Sequence, residues 1–237
     1  MTVVTLAAFV LVLAVVNVWA HAGARRGLSL ITRPLVAVLL LVMGAAAGLS
    51  WAQLGIGSGA LGRSALWGGI CAALVAAGYA VALAVPRAHP LFLDPRHRLG
   101  PASALVTAFV AVPLGTVVLE EVAFRGVLWG LLEREHGGAW ATAVSSLLFG
   151  LWHVLPALDA VRSGAALSRS AGRGRALGTV VATVAFTAAA GVLLAGLRWW
   201  TGGLLAPILL HWAINACGVL VSARVWAISG RQLRPAA

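Results

Sequence analysis

The sequence predicts an all-α fold: a polytopic membrane bundle of about seven (seven to eight) transmembrane helices, built as a single integral-membrane domain over residues 1–237. Three observations predict it. Residues of the AVILMFWYC set make up 61% of the 237. Charged residues make up only 10%, against roughly 25% in ordinary soluble domains. Mean hydropathy is +0.99. A globule of this size has too little interior to hide that much apolar surface, so lipid must solvate most of it. Two cysteines exclude a secreted disulfide scaffold. The high hydrophobicity excludes a disordered chain.

A span of the hydrocarbon core takes roughly 20 apolar residues. Seven segments qualify, at roughly 2–20, 34–54, 65–86, 103–132, 138–156, 176–197 and 203–223. The first resembles a signal peptide, with Ala20-His21-Ala22 placed like a cleavage site. Its basic residues follow the apolar run instead of preceding it, so it is read as a retained span. Pro34, Pro86, Pro90 and Pro101 punctuate segment ends. The fourth segment is long and contains Pro113. It is either one long tilted helix, kinked at the proline, or a re-entrant piece followed by a span. The longest loop, 157–175, is rich in Ser, Gly and Arg. Cys71 and Cys217 lie in apolar spans and read as small buried side chains.

Charge is lopsided. Seventeen basic residues, all arginine, face six acids. Such a surplus can signal nucleic-acid binding, but its placement assigns it to topology. The odd-numbered loops and the C-terminal tail hold thirteen arginines, Arg33, Arg96 and Arg98 among them. The even-numbered loops hold three: Arg63, Arg134 and Arg198. The last, Arg125, lies inside a span. The positive-inside rule then puts the N-terminus outside and the C-terminus in the cytoplasm. The partner is the lipid bilayer, and no nucleic acid is expected. A cysteine introduced by Ser170→Cys should react with impermeant thiol reagents only after cells are opened; labelling in intact cells overturns this orientation. Trp19, Trp51, Trp67, Trp129, Trp140, Trp199, Trp200 and Trp226 lie near span ends, as interfacial aromatics do. Trp152 and Trp212 instead adjoin histidines.

Ionisable groups inside a span cost roughly 2.5–3.5 kcal/mol each on insertion scales, so they need a partner, a wet cavity or a task. Glu120, Glu121, Arg125 and His211 are such groups, and His153 joins them nearer a span end. In a helix, Glu121 and Arg125 lie four apart on one face and can pair. Glu120 is rotated about 100° away and has no local partner, which makes it a candidate general base. A buried ion network in which both glutamates bracket Arg125 accounts for the three equally well. Phe149 and His153 share a helical face, although a lone histidine near a span end is more often an interfacial hydrogen-bonder. His211 and Asn215 also share a face, near the middle of an apolar segment. Polar glue between helices is the alternative there. At 1.5 Å per residue, Glu120 and His211 lie within ~3 Å of the middle of their spans and His153 within ~10 Å of the midplane. Three helices can thus present a carboxylate, two imidazoles and an amide at compatible heights, which points to a polar site inside the bilayer.

Several chemistries are excluded. The spacing His-Glu-x-x-His is absent. No Gly-x-Gly-Asp stands in a span, and Asp94 and Asp159 are loop residues. Ser145 and Ser146 lack a Gly-x-Ser-x-Gly or Gly-x-Ser-Gly setting. One glutamate with two histidines can bind a divalent metal or activate water directly.

Glu120-Glu121-x-x-x-Arg125, Phe149-x-x-x-His153 and His211-x-x-x-Asn215, in that order on successive apolar segments, resemble the CPBP family. This is the family of CAAX prenyl proteases and bacteriocin-processing enzymes, also called ABI. Phe124-Arg125-Gly126 and the run Thr201–His211 extend the likeness, which covers roughly 105–220. Residues 1–100 match only as generic spans before a protease core over 103–223. The resemblance implies intramembrane endopeptidase activity on the fourth, fifth and seventh segments. By it, Glu120 would be the base and His153 would hold and polarise water. His211 and Asn215 would donate to the oxyanion, and Glu121, Arg125 and Phe149 would support them. No cofactor is expected. If zinc were bound, Glu120, His153 and His211 would be its ligands. The arginine-only, Ala- and Gly-rich composition suggests a bacterial plasma membrane, with a peptide or membrane protein as substrate. A proton-coupled transporter would also bury Glu120 and His211, but repeat symmetry and paired broken helices are not found. A non-catalytic membrane partner or chaperone would not need the complete motif set.

Overall fold

The computed structural model describes residues 3–21, 26–162 and 173–232. Among them there is no strand. The helices are α1 (Val3–His21), α2 (Arg26–Ala46), α3 (Leu61–Ala84), α4 (Pro101–His136), α5 (Gly138–Trp152), α6 (Val154–Arg162), α7 (Arg173–Thr201) and α8 (Leu205–Gln232). Five continuous helical stretches are long and apolar enough to cross a membrane: Ser58–Ala84, Pro101–His136, Gly138–Arg162, Ala176–Thr201 and Leu205–Gly230. Shorter apolar runs lie in the first two helices, at Leu6–Val18 and Leu30–Ala46. The fold is the expected all-α membrane bundle. Residues 163–172 of the expected 157–175 loop, Ser170 included, lie outside the described residues, and 157–162 belong to α6.

The second segment differs from its expected bounds of 34–54. α2 starts at Arg26 and ends at Ala46, so Pro34 sits inside a helix and does not begin one. Residues 47–57 form turns, because Gly48 (φ +84°) and Gly55 (φ +79°) take the left-handed conformation that ends helices. The apolar residues there misled the hydropathy reading. Leu49 and Leu54 are buried against the core without being helical.

The long fourth segment is one continuous helix, not a re-entrant piece followed by a span. Pro113 is absorbed by widened π-type turns at Thr107–Ala111 and Pro113–Val117. In such a turn the carbonyl of Ala108 would take the N–H of residue 113, which proline lacks. The indole of Trp212 on α8 donates to that carbonyl instead, at 2.9 Å. A tryptophan away from the span ends thereby repairs a helix that a proline would otherwise leave unsatisfied.

α4 is the axis of the bundle. From Leu119 to Leu132 every residue is buried, as expected of a helix that is apolar on nearly all sides. Trp129, expected at an interface, is therefore interior, and its indole donates to Thr142 on α5 at 3.2 Å. α5 packs against α7 by close backbone approach. A Cβ on Gly150 would stand 2.8 Å from both the Ala188 Cβ and the Val184 carbonyl oxygen, the small-residue contact typical of membrane helices. α1 contributes Phe9 and Leu13 to the common core.

The even-numbered connections gather at one end. Arg198, almost wholly buried, donates to the carbonyls of Ala52 (3.2 Å) and Gln53 (2.9 Å) and lies over the Trp129 ring. Arg63 donates to the Thr201 carbonyl and Arg134 to that of Ala47. These three arginines therefore close turns. At the other end, the segment 85–100 packs on the C-terminal part of α8 through Trp226 to the Asp94 carbonyl and Ser222 to that of Phe92.

Candidate functional site

Three neighbouring segments deliver the polar residues. α4 carries Glu120, Glu121 and Arg125. The junction of α5 and α6 carries Phe149, Trp152 and His153. α8 carries His211 and Asn215.

Glu121 and Arg125 are completely buried. Arg125 Nη1 donates to Glu121 Oε1 at 3.1 Å, and Nη2 donates to the Gly191 carbonyl at 3.4 Å. The guanidinium lies 4.0 Å above the Phe149 ring, a cation–π contact in a desolvated place. His211 Nδ1 meets the same Glu121 oxygen at 2.7 Å. An ionised carboxylate only accepts, so the proton of this short bond belongs to Nδ1. Glu121 is thus shared by Arg125 and His211.

Glu120 is turned away from Arg125. It has no partner on its own helix turn, and its partner comes from another helix: Trp152 Nε1 donates to Oε1 at 3.1 Å. Its other oxygen, Oε2, accepts no hydrogen bond from the described residues and lies 3.9 Å from His211 Nε2. One side of the carboxylate is anchored by the indole, and the other is buried without a donor among the described residues. Trp152 escaped the sequence reading because its contact runs between helices, where no i,i+4 spacing announces it. The available signal was its position beside His153, away from a span end.

His153 interrupts the helix between α5 and α6 with φ −85° and ψ 3°, in the sparsely populated bridge region. Its Nδ1 donates to the Phe149 carbonyl at 2.8 Å, which leaves the Nε2 lone pair available. Phe149 sits edge-on to both histidines, with ring centroids 4.7 Å from His153 and 6.0 Å from His211.

A cavity of about 400 Å³ reaches this place. Glu120, Trp152, His153 and Asn215 line it, with Arg33 and Thr116 opposite. His211 and Glu121 are not among its lining residues, although His211 Nε2 lies 3.9 Å from Glu120 Oε2. Neither Ser145 nor Ser146 faces it. Arg33 corrects the loop count, since it lies within α2 and donates to the Gly115 carbonyl and to Thr116 Oγ1. Hydropathy alone had assigned it to a loop because it adjoins Pro34.

Arg96 and His97 complete the lining from the 85–100 segment. Asp94 caps the short turn there and holds Arg96 through both carboxylate oxygens, the closest contact being 2.7 Å. Burial raises the Asp94 pKa, but the hydrogen bonds and charge of Arg96 outweigh it and hold the carboxyl below its ordinary range. Burial pushes the His97 imidazole down, against Asp94 and with Arg96. The charge of Arg96 is therefore largely answered locally. Among the described residues, Arg33 donates hydrogen bonds only to a carbonyl and a hydroxyl.

Glu120, His153 and His211 are the residues that would hold a metal if one were bound. Among the described residues no three His, Cys, Asp or Glu side chains converge as a ligand set, and His211 bonds Glu121 through Nδ1, which leaves its Nε2 on the Glu120 side.

The model of one protein family, type II CAAX prenyl endopeptidase Rce1-like, matches residues 102–217. No curated protein and no solved structure matches the chain. The matched stretch begins at the start of α4 and ends two residues after Asn215, and so contains all three motifs.

Proposed function

We propose that this integral membrane protein is an intramembrane endopeptidase in which Glu120 activates water, a reading supported by the match of residues 102–217 to the Rce1-like family. The observation that carries the reading is the state of the Glu120 carboxylate. Oε1 is fixed by the Trp152 indole, while Oε2 is bonded to no described residue, on a side chain that lines the cavity.

A peptide in the cavity presents its scissile carbonyl to a water held between Glu120 Oε2 and the free Nε2 of His153. Glu120 takes a proton from that water as its oxygen attacks the carbonyl carbon, then passes a proton to the leaving amine. Asn215, on the cavity wall, donates its amide to the developing oxyanion. His211 can join it from Nε2 only as an imidazolium, because Nδ1 already holds a proton against Glu121. Donors fixed in a site screened from water are worth about 3–4 kcal/mol each in other proteases. Glu121, Arg125 and Phe149 hold His211 in place.

The expected substrate is a peptide or membrane protein of a bacterial plasma membrane, reached from the end of the bundle that carries Arg96 and His97. With the C-terminus cytoplasmic, that end is the cytoplasmic one.

No step passes through a metal. Purified protein in detergent should cleave a fluorogenic peptide, and its rate should survive overnight treatment with o-phenanthroline or EDTA. Loss of activity to chelators, restored by zinc, would replace this mechanism with a metal-dependent one. Proton flux in liposomes that depends on a solute, without any peptide being cut, would favour a transporter.

A further inference from the structure

α1 lies outside the residues that the family model matches, yet it reaches the site. Its apolar sequence, Val-Val-Thr-Leu-Ala-Ala-Phe-Val-Leu-Val-Leu-Ala-Val-Val-Asn-Val-Trp-Ala-His, contains one carboxamide, Asn17. An amide in such a helix is unfavourable unless it finds a partner on a neighbour. Asn17 is buried, and its Nδ2 donates to the backbone carbonyl of Trp152 at 2.9 Å.

That carbonyl is available for a chemical reason. In an α-helix the carbonyl of residue 152 would receive the N–H of residue 156. Residue 156 is proline and has no N–H. Pro156 therefore orphans the Trp152 carbonyl at the point where α5 stops and α6 starts. A buried orphan of this kind costs about 1–3 kcal/mol. The amide of Asn17, from a helix 135 residues away in sequence, supplies the missing donor.

The tethered residue is the one whose indole anchors Glu120 Oε1, and the next residue is His153. Phe124 packs edge-on against the indole at 5.6 Å. Asn17 does not itself line the cavity, and it reaches the site through the Trp152 backbone.

We propose that Asn17 is a positioning residue of the site, holding the α5–α6 joint so that Trp152 fixes the Glu120 carboxylate and His153 faces the cavity. The N-terminal helix is then part of the functional unit, and the family-matched segment is incomplete without it. The effect on catalysis rests on the peptidase reading above; the effect on Trp152 does not.

The test uses the full chain in detergent and four variants: Asn17→Leu, Pro156→Ala, the double variant, and Glu120→Gln. Asn17→Leu keeps the volume and removes the donor, and Pro156→Ala returns the backbone N–H. Rates are measured well below each variant's unfolding temperature. Asn17→Leu should lower kcat about ten- to hundredfold, as a misplaced catalytic group does, with KM within about twofold. The double variant should recover most of the loss. A second readout needs no activity. In fluorotryptophan-labelled protein, the fluorine resonance of Trp152, identified by its disappearance in Trp152→Phe, should move in Asn17→Leu and return in the double variant. Wild-type kcat in Asn17→Leu, a double variant no better than Asn17→Leu, or an unmoved Trp152 resonance overturns the inference. If Glu120→Gln still cleaves, the peptidase reading fails instead, and the Trp152 resonance alone decides the role of Asn17.

Discussion

Glu120→Gln is expected to lower peptide cleavage by about 10²–10⁴-fold, the usual contribution of a general base, while leaving the protein folded. Gln is isosteric, and its amide oxygen can still accept the Trp152 indole, so the anchored half of the side chain is preserved. What is lost is the proton acceptor at the Oε2 position. The corresponding barrier increase is about 3–5 kcal/mol. The measurement is kcat on a fluorogenic peptide for wild type and variant, together with thermal unfolding in the same detergent. Full cleavage by a folded Glu120→Gln protein would remove Glu120 from the mechanism. A loss of activity accompanied by a collapse of the unfolding temperature would mean that the carboxylate holds the bundle together and does no chemistry.

Arg125→Met should have the larger effect on stability. The guanidinium is wholly buried between Glu121, the Gly191 carbonyl and the Phe149 ring. Removing one member of a buried ion pair leaves the other charge uncompensated and typically costs about 3–5 kcal/mol. The short bond from His211 to Glu121 offsets part of this by leaving the carboxylate one donor. Thermal unfolding in detergent should therefore fall by several degrees for Arg125→Met and hardly at all for Arg96→Met, whose partner Asp94 sits at the surface end. The double variant Glu121→Gln/Arg125→Met should lose less than the two single effects summed, because the stranded charge is gone. An unfolding temperature for Arg125→Met within a degree of wild type would show that the pair contributes nothing net. Activity is expected to fall as well, since His211 loses the fixed carboxylate that orients it.

Parts of this site were legible from local pattern. Residues that share one helix turn reveal their relation through spacing, and that is how Glu121 and Arg125 come together. The three motifs could be placed at similar depth because the rise of a helix is constant. Contacts between helices were not legible. His211 bonding Glu121 across 90 residues, Trp152 bonding Glu120 across 32, and Asn17 bonding the Trp152 carbonyl across 135 depend on how each helix is rotated about its own axis. In a soluble protein an amphipathic stripe sets that rotation. Here the lipid-facing side is as apolar as the core. Leu74, Phe186 and Leu193 are exposed, while Leu40, Leu54 and Leu128 are buried, and nothing in residue type separates the two groups. The same degeneracy put Arg33 in a loop and Trp129 at an interface.

The sequence by itself determined that this protein lives in lipid, that its chain runs as a series of apolar helices, and that a few polar residues on the fourth, fifth and last spans belong together. Composition, span length and i,i+4 spacing suffice for that, because they act within single segments. The tertiary structure alone decided which glutamate is shared by Arg125 and His211, which is held by an indole, and which prolines leave carbonyls for Trp212 and Asn17 to fill. Those outcomes depend on packing between helices, where every buried polar group must find a partner and the hydrophobic pattern does not say which neighbour supplies it.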